Sequence, residues 1–190
     1  MNPQDKPFHI LYCSRLVKEK GADILIDVIN ETLKDAHLNS IIWHIVSTGD
    51  YEEKIKKICG TEKWRVHYYG KISQKELSDL MRKMNMLYMP SRFLETFWLT
   101  WLEALASGIP VLGMRKWGLM DFIPTTLAID ENDPLRSTIK HLRDIISQKN
   151  SLAPMDIENF SLVHWKTRLT WLFQQGSSIC LIHDYAERIW

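Results

Sequence analysis

Two glutamates, Glu95 and Glu103, stand eight positions apart in a stretch rich in apolar residues. A carboxylate accepts hydrogen bonds from two hydroxyl groups at once, and bonds to a charged group contribute about 1.5–3 kcal/mol each. The pair is therefore suited to the vicinal diols of a sugar or a ribose. Thr100 and Glu103 also have the spacing of a capping box, in which the carboxylate only satisfies backbone amides, and Glu95 alone is compatible with a solvated loop.

Two cations precede a predicted helix near the amino end of the chain. Arg15 and Lys20 lie five residues apart, beside Gly21 and directly after a predicted strand. The planar fork of an arginine and the point charge of a lysine can together hold a diphosphate, although cations at loop ends are commonly only solvated. Gly49, within Ser47-Thr48-Gly49-Asp50, permits either a close backbone approach to a ligand or a simple turn.

The elements that must position these residues alternate along the chain. Short apolar runs predict buried parallel strands, and stretches with helical spacing separate them. The predicted strands are 8–13, 41–46, 66–69, 86–89, 109–112 and 127–129, and the predicted helices include those near 51, 77–84, 99–107, 135–146 and 162–172. The sequence thus predicts an α/β fold, a parallel sheet flanked by helices and wound right-handedly. Helix amides near Phe97, Trp98 and Leu99 would then point at an anion.

Composition and charge narrow the class of protein. The 190 residues suffice for one globular domain, with 45% hydrophobic and 25% charged residues. A net charge of +1 gives no electrostatic case for nucleic acid. Three cysteines without metal-like spacing indicate a reducing setting, so we expect a cytoplasmic protein. The chain contains no apolar run long enough to predict a membrane span.

The histidines give no sign of a metal centre. The seven histidines lack paired ligand spacing, and no HExxH, GxSxG, Walker-type or GxGxxG motif occurs. His44 and His67 alternate with apolar strand residues, which predicts packed or edge positions. We therefore predict neither a bound metal nor a tightly bound cofactor.

Six segments together resemble the carboxy-terminal, donor-binding domain of retaining GT-B glycosyltransferases, the family with a Glu-x7-Glu motif. The resemblance runs in order from about 8 to 173. Its segments are Ser14-Arg15-Leu16 to Lys20-Gly21, Ile45 to Asp50, Val66 to Gly70, Pro90-Ser91, Glu95 to Ala104, and Ala106 to Val111. The resemblance implies a Rossmann-like domain over 1–175, a single half of a GT-B fold, followed by a C-terminal helical tail over 176–190.

The resemblance also implies roles for the charged residues. Arg15 and Lys20 match the pair that binds the donor diphosphate and stabilises it as a leaving group without a metal. Glu103 matches the glutamate that holds the ribose hydroxyls, and Glu95 the one that faces the donor sugar. The expected catalytic residues are therefore Glu95, Arg15 and Lys20.

The remaining expected contacts involve main-chain atoms. Those near Lys71 and Ile72 meet the base of the donor, and Gly49 and the helix amides at 97–99 complete the site. The expected donor is a UDP-, GDP- or ADP-sugar, whose anomeric configuration is retained on transfer.

Departures from the family pattern include three positions at which glycine is usual. Ser14 and Ser47 stand where glycine is usual, and Trp98 occupies another glycine position, where an indole would reshape the sugar subsite. Because the other half of a GT-B enzyme binds the acceptor, we expect this chain to need an acceptor-binding partner or a missing amino-terminal domain. The alternative is a non-catalytic nucleotide-binding or interaction module in which Trp98 fills the donor site.

Overall fold

A computed structural model of the protein describes residues 6–92, 100, 103–104, 107–114 and 127–148, all within the unit Met1–Leu152. The strands are β1 (Phe8–Cys13), β2 (Ile41–Val46), β3 (Val66–Gly70), β4 (Met86–Met89), β5 (Val111–Met114) and β6 (Ala128–Ile129). The helices include α1 (Ala22–Lys34), α2 (Glu52–Thr61), α3 (Gln74–Met81) and α4 (Pro134–Gln148). The predicted division after residue 175 lies outside the described residues and stays a prediction.

These strands form one parallel sheet in the order β3-β2-β1-β4-β5-β6, which confirms the predicted α/β fold. β1 pairs along its whole length with β2, from Phe8 beside Ile41 to Cys13 beside Val46. Its other side pairs with β4. The strand order therefore reverses between β1 and β4. Open sheets with such a reversal bind ligands beyond the carboxyl ends of the strands at that point.

Two buried aromatic side chains fix helices to one face of the sheet. Trp43 Nε1 donates a hydrogen bond to Thr32 Oγ1 of α1 at 3.0 Å. Tyr88 Oη lies 3.2 Å from Thr138 Oγ1 of α4. The two rings meet edge to face with centroids 5.6 Å apart. Because each polar atom of these aromatics has a partner, the face combines large apolar area with satisfied hydrogen bonds.

One strand begins later than the sequence predicts. The expected strand 109–112 is observed as Val111–Met114. Pro110 has no N–H to donate to a ladder and contributes its carbonyl oxygen alone, which accepts from the Leu87 amide at 2.9 Å. Among the described residues, no helix is both long enough and apolar enough to cross a membrane.

Candidate functional site

The loop after β1 forms the centre of the candidate site. Lys18–Lys20 make a 3-10 turn, and Gly21 then takes φ +73° before α1 begins. A Cβ at Gly21 would overlap the carbonyl oxygen of Pro90, which follows β4. Glycine is therefore the residue that fits both the backbone angle and the space. The ends of the two central strands meet at this contact.

The loop after β2 is hydrogen-bonded to the loop after β1. The Leu16 amide donates to the Thr48 carbonyl at 2.9 Å, and the Tyr51 amide donates to the Leu16 carbonyl at 3.0 Å. A Cβ at Gly49 would lie 2.6 Å from the same Leu16 oxygen. The structure thus places Gly49 where the backbone of one loop approaches that of the other.

Ser47, at the end of β2, has an unfavourable backbone conformation. Its φ is +113°, and it is the one non-glycine residue with positive φ in the part of the chain that the structure describes. Its amide donates to the Gly70 carbonyl of β3 at 2.8 Å, which ties a third strand end to the same edge. The positive φ disfavours any residue with a Cβ. This is the physical reason to expect glycine at position 47.

Arg15 and Lys20 have different surroundings although they share a loop. Arg15 is exposed, whereas 6% of Lys20 is accessible to solvent. Burial lowers the pKa of Lys20, and the positive charge of Arg15 lowers it further. The single O–H donor of Tyr12 is shared between the Arg15 and Lys20 carbonyl oxygens, which lie 3.1 Å and 3.2 Å from Oη respectively. A buried lysine close to a second cation is an arrangement that favours an anion beside the pair.

Arg92 is a residue to which the sequence analysis assigned no role. Its Nη1 donates to the Lys18 carbonyl at 3.0 Å and to Asp23 Oδ1 at 2.6 Å. Its amide donates to the Glu19 carbonyl at 2.9 Å. Burial opposes ionisation of Asp23, but the bond and charge of Arg92 hold the pKa of that carboxyl below its ordinary value. Arg92 therefore fastens the chain after β4 to the cation-bearing loop.

Glu103 lies near the end of β1 and the start of α3. Its Oε1 accepts a hydrogen bond from Gln74 Nε2 at 2.5 Å. Burial raises the pKa of Cys13, the last residue of β1, to about 12, and the negative charge of Glu103 contributes to this rise. α3 begins at Gln74 because Ser73 and Glu76 form a capping box. The pattern Ser-x-x-Glu is a sequence signal from which this start could have been predicted.

Lys71 and Ile72, the residues expected at the base, lie in the short connection from β3 to α3. Lys71 is exposed and Ile72 is half-buried. Gln74 follows two residues after Ile72 and contacts Glu103. The connection and Glu103 therefore share one corner of the carboxyl edge.

Four other expected site residues belong to the segment between β4 and β5. Glu95, Phe97, Trp98 and Leu99 lie outside the described residues and stay predictions. Thr100, Glu103 and Ala104 are helical, and a turn with Gly108 at φ +74° follows, in which the Ile109 amide donates to the Ala104 carbonyl at 3.0 Å.

His44 and His67 pack on one face of the sheet, as predicted, together with His9. His44 Nε2 lies 2.9 Å from His9 Nδ1, and His44 Nδ1 lies 2.8 Å from Tyr69 Oη. The His67 ring centroid is 5.2 Å from that of His44. Burial and the neighbouring His9 and His67 hold the pKa of His44 at about 4. Within the described ranges, no group of three His, Cys, Asp or Glu side chains is arranged to hold a metal ion.

Comparison with known proteins identifies one family. The profile described as Glycosyl transferases group 1 matches residues 7–148. An uncharacterized 41.2 kDa protein in the cps region of Klebsiella pneumoniae is 37% identical over 122 residues, which cover 63% of this chain and 31% of that protein. The GtfA subunit of a UDP-N-acetylglucosamine–peptide N-acetylglucosaminyltransferase from Streptococcus agalactiae is 31% identical over 123 residues, which cover 64% of this chain and 24% of that protein. The chain thus spans about a quarter to a third of the length of these relatives.

A solved structure gives the same result for the fold. The pneumococcal O-GlcNAc transferase GtfA, in complex with UDP and GlcNAc, aligns with a TM-score of 0.62 and 22% identity. The alignment covers 88% of this chain and 36% of that one. The sheet described above is accordingly a single Rossmann-like half of a GT-B fold.

Proposed function

Because this chain belongs to the family of glycosyl transferases group 1, we propose that it is the donor-binding part of a glycosyl transferase. Its ligand is a nucleotide diphosphate sugar, bound by the loops at the carboxyl ends of β1, β2 and β4. The transfer retains the anomeric configuration and needs no metal ion.

The cation pair on the loop after β1 carries this proposal. Lys20 is 6% exposed, and Arg15 is close enough to lower its pKa. A diphosphate beside both groups would offset their mutual repulsion. As the bond between sugar and diphosphate breaks, the leaving group gains negative charge, which fixed cations stabilise more strongly than they stabilise the bound donor.

Glu103 supports the nucleoside side of the proposal. Gln74 holds one carboxylate oxygen of Glu103, which fixes the orientation of the group. A carboxylate has acceptor positions on both oxygens, so ribose hydroxyls can bind at the oriented group. The base would then lie against the connection that carries Lys71 and Ile72.

The nucleotide we propose is UDP. The Streptococcus agalactiae relative is named for UDP-N-acetylglucosamine, and the pneumococcal structure contains UDP and GlcNAc. The first is a sequence relative of this chain, and the second shares its fold. Tighter binding of a GDP- or ADP-sugar than of a UDP-sugar would contradict this choice of nucleotide.

The acceptor is bound elsewhere, by a partner chain or by a further domain. The chain spans 31% and 24% of the two relatives, and one of these is itself named a subunit. We therefore expect the isolated chain to bind donor without transferring sugar. A non-catalytic nucleotide-binding module would behave in the same way, and transfer after addition of an acceptor-binding half distinguishes the two.

Calorimetric titration with UDP-, GDP- and ADP-sugars tests the binding. We expect UDP-sugars to bind, and Lys20→Ala to weaken them by about 10- to 100-fold because a charge-assisted contact is lost. Lys34→Ala is the matched control, since Lys34 is 71% exposed and pairs with Glu31 on the surface. Absence of binding by every nucleotide sugar would overturn the proposal.

Variants of the two glutamates test the contacts to the nucleoside and to the sugar separately. Glu103→Ala should weaken UDP and UDP-sugar equally, because the ribose belongs to both. Glu95→Ala should weaken the UDP-sugar and leave UDP unchanged. Equal effects of both variants on both ligands would contradict the assigned roles.

A further inference from the structure

Tyr12 joins the two residues that carry the proposed diphosphate site. It lies in β1, one residue before the strand ends, and its side chain is fully buried. Its hydroxyl lies 3.1 Å from the carbonyl oxygen of Arg15 and 3.2 Å from that of Lys20, and its one proton is shared between them. A single buried hydrogen-bond donor therefore links the first and last residues of the segment that separates the two cations.

The carbonyl groups between these residues are also engaged inside the protein. The Leu16 carbonyl accepts from the Tyr51 amide at 3.0 Å, and the Glu19 carbonyl accepts from the Arg92 amide at 2.9 Å. The Lys18 carbonyl accepts from Arg92 Nη1 at 3.0 Å. The loop thus has a backbone fixed along its length, and an anion beside it meets side chains and amides instead of carbonyl oxygens.

The Tyr12 hydroxyl stays protonated under all ordinary conditions, because burial raises its pKa well above the usual value. It therefore serves as a donor and not as an acid or base. Loss of the hydroxyl would remove the donor shared by the part-buried Arg15 carbonyl and the buried Lys20 carbonyl, and the loop would adjust to find other donors.

We propose that Tyr12 is a positioning residue of the diphosphate site, whose hydroxyl sets the distance between Arg15 and Lys20 so that both cations reach the same diphosphate. This inference rests on the proposed function of the loop. Tyr12 itself lies beneath the loop and does not touch the ligand.

Tyr12→Phe tests the inference, with Tyr88→Phe as a matched control. Tyr88 is also fully buried in the same sheet, and its hydroxyl pairs with Thr138 of α4 at 3.2 Å. Both variants lose one buried hydrogen bond and similar stability. We expect Tyr12→Phe to lower the ratio of UDP to UMP affinity by about tenfold, because this ratio reports the second phosphate, and Tyr88→Phe to leave the ratio unchanged.

The outcomes separate this inference from the proposed function. If the unaltered chain binds neither UDP nor any other nucleoside diphosphate, the proposed function fails and this inference fails with it. If the unaltered chain binds UDP but Tyr12→Phe keeps the original ratio, or Tyr88→Phe lowers it equally, Tyr12 does not position the cations and only this inference is overturned.

A measurement on the unaltered chain covers the case in which Tyr12→Phe does not fold. Tyrosine labelled with carbon-13 at Cζ gives a resonance for each ring. Addition of inorganic pyrophosphate should shift the Tyr12 resonance and not that of Tyr88. A Tyr12 resonance that stays unmoved at saturation would overturn the inference.

Discussion

The carboxyl edge of the sheet and the face that carries the histidines both hold polar side chains inside the fold, but they accommodate them differently. On the face, both ring nitrogens of His44 have partners, His9 and Tyr69. At the edge, buried Lys20 lies beside Arg15, a charge of the same sign. On the face, burial and two neighbouring rings hold the pKa of His44 at about 4, so this residue is neutral at pH 7. At the edge, two like charges lie side by side, an arrangement that favours binding of an anion.

Backbone conformation follows the same division. Ser47 at the edge has φ +113°, and Gly21 accepts a position that no residue with a Cβ can share with Pro90. Residues held in unfavourable conformations cluster where a protein binds or reacts. The comparison teaches that burial of a polar residue alone does not mark a site. Burial beside a charge of the same sign, with a strained backbone nearby, is the better indicator.

The largest expected effect comes from Gly21→Ala. The new methyl would overlap the Pro90 carbonyl at φ +73°, and we expect a loss of about 4 kcal/mol in the free energy of unfolding in urea. Gly60→Ala is the control, since a Cβ at Gly60 in α2 meets nothing within 4 Å, and it should gain about 0.5 kcal/mol. Equal free energies of unfolding for the two variants would contradict the close approach of Gly21 to Pro90 at the edge.

The next effect concerns the histidine face and acid. His44 has a pKa of about 4 in the folded chain against 6.5 for the free side chain, so the unfolded state binds more protons between these values. The contribution of His44 to the free energy of unfolding should be fully present above pH 6.5. It should fall by about 3 kcal/mol as the pH is lowered to 4. Urea unfolding across this range measures the fall.

A pair of variants assigns that fall to His44. His44→Leu should abolish most of the slope, whereas His37→Leu, at an exposed position, should keep it. A slope that persists in His44→Leu would show that the loss of stability in acid does not arise from His44.

The smallest effect is a gain at the edge. Ser47→Gly should raise the free energy of unfolding by about 1 kcal/mol, because glycine tolerates positive φ. Ser14→Gly is the control. Ser14 is another position where the family has glycine, but its φ is not positive, so this variant should gain nothing. A gain at position 14 equal to that at 47 would contradict the strain at Ser47.

Much of the fold follows from local patterns, and part of the site does not. The sequence predicts β1, β2 and β4 from their apolar runs, and it predicts the cation pair after β1, because each signal lies within a few residues. β5 begins at Val111, later than predicted, because Pro110 has no N–H to donate to the neighbouring strand. This effect depends on strand pairing, which the local sequence does not show. No sequence signal predicts the role of Tyr12, because its partners are backbone carbonyl groups, which every residue has. None predicts that of Arg92, because its partners Lys18 and Asp23 lie about 70 residues away in the chain.

The hydrogen bonds between the loops have a kinetic consequence. The amides of Leu16, Ser47 and Tyr51 lie outside the strands, yet each donates to a carbonyl in a different segment. Exchange of their protons with solvent deuterium requires two segments to separate and cannot occur by fraying of one. The loops after β1 and β2 and the end of β3 therefore open together, so that the edge exchanges as one cooperative unit.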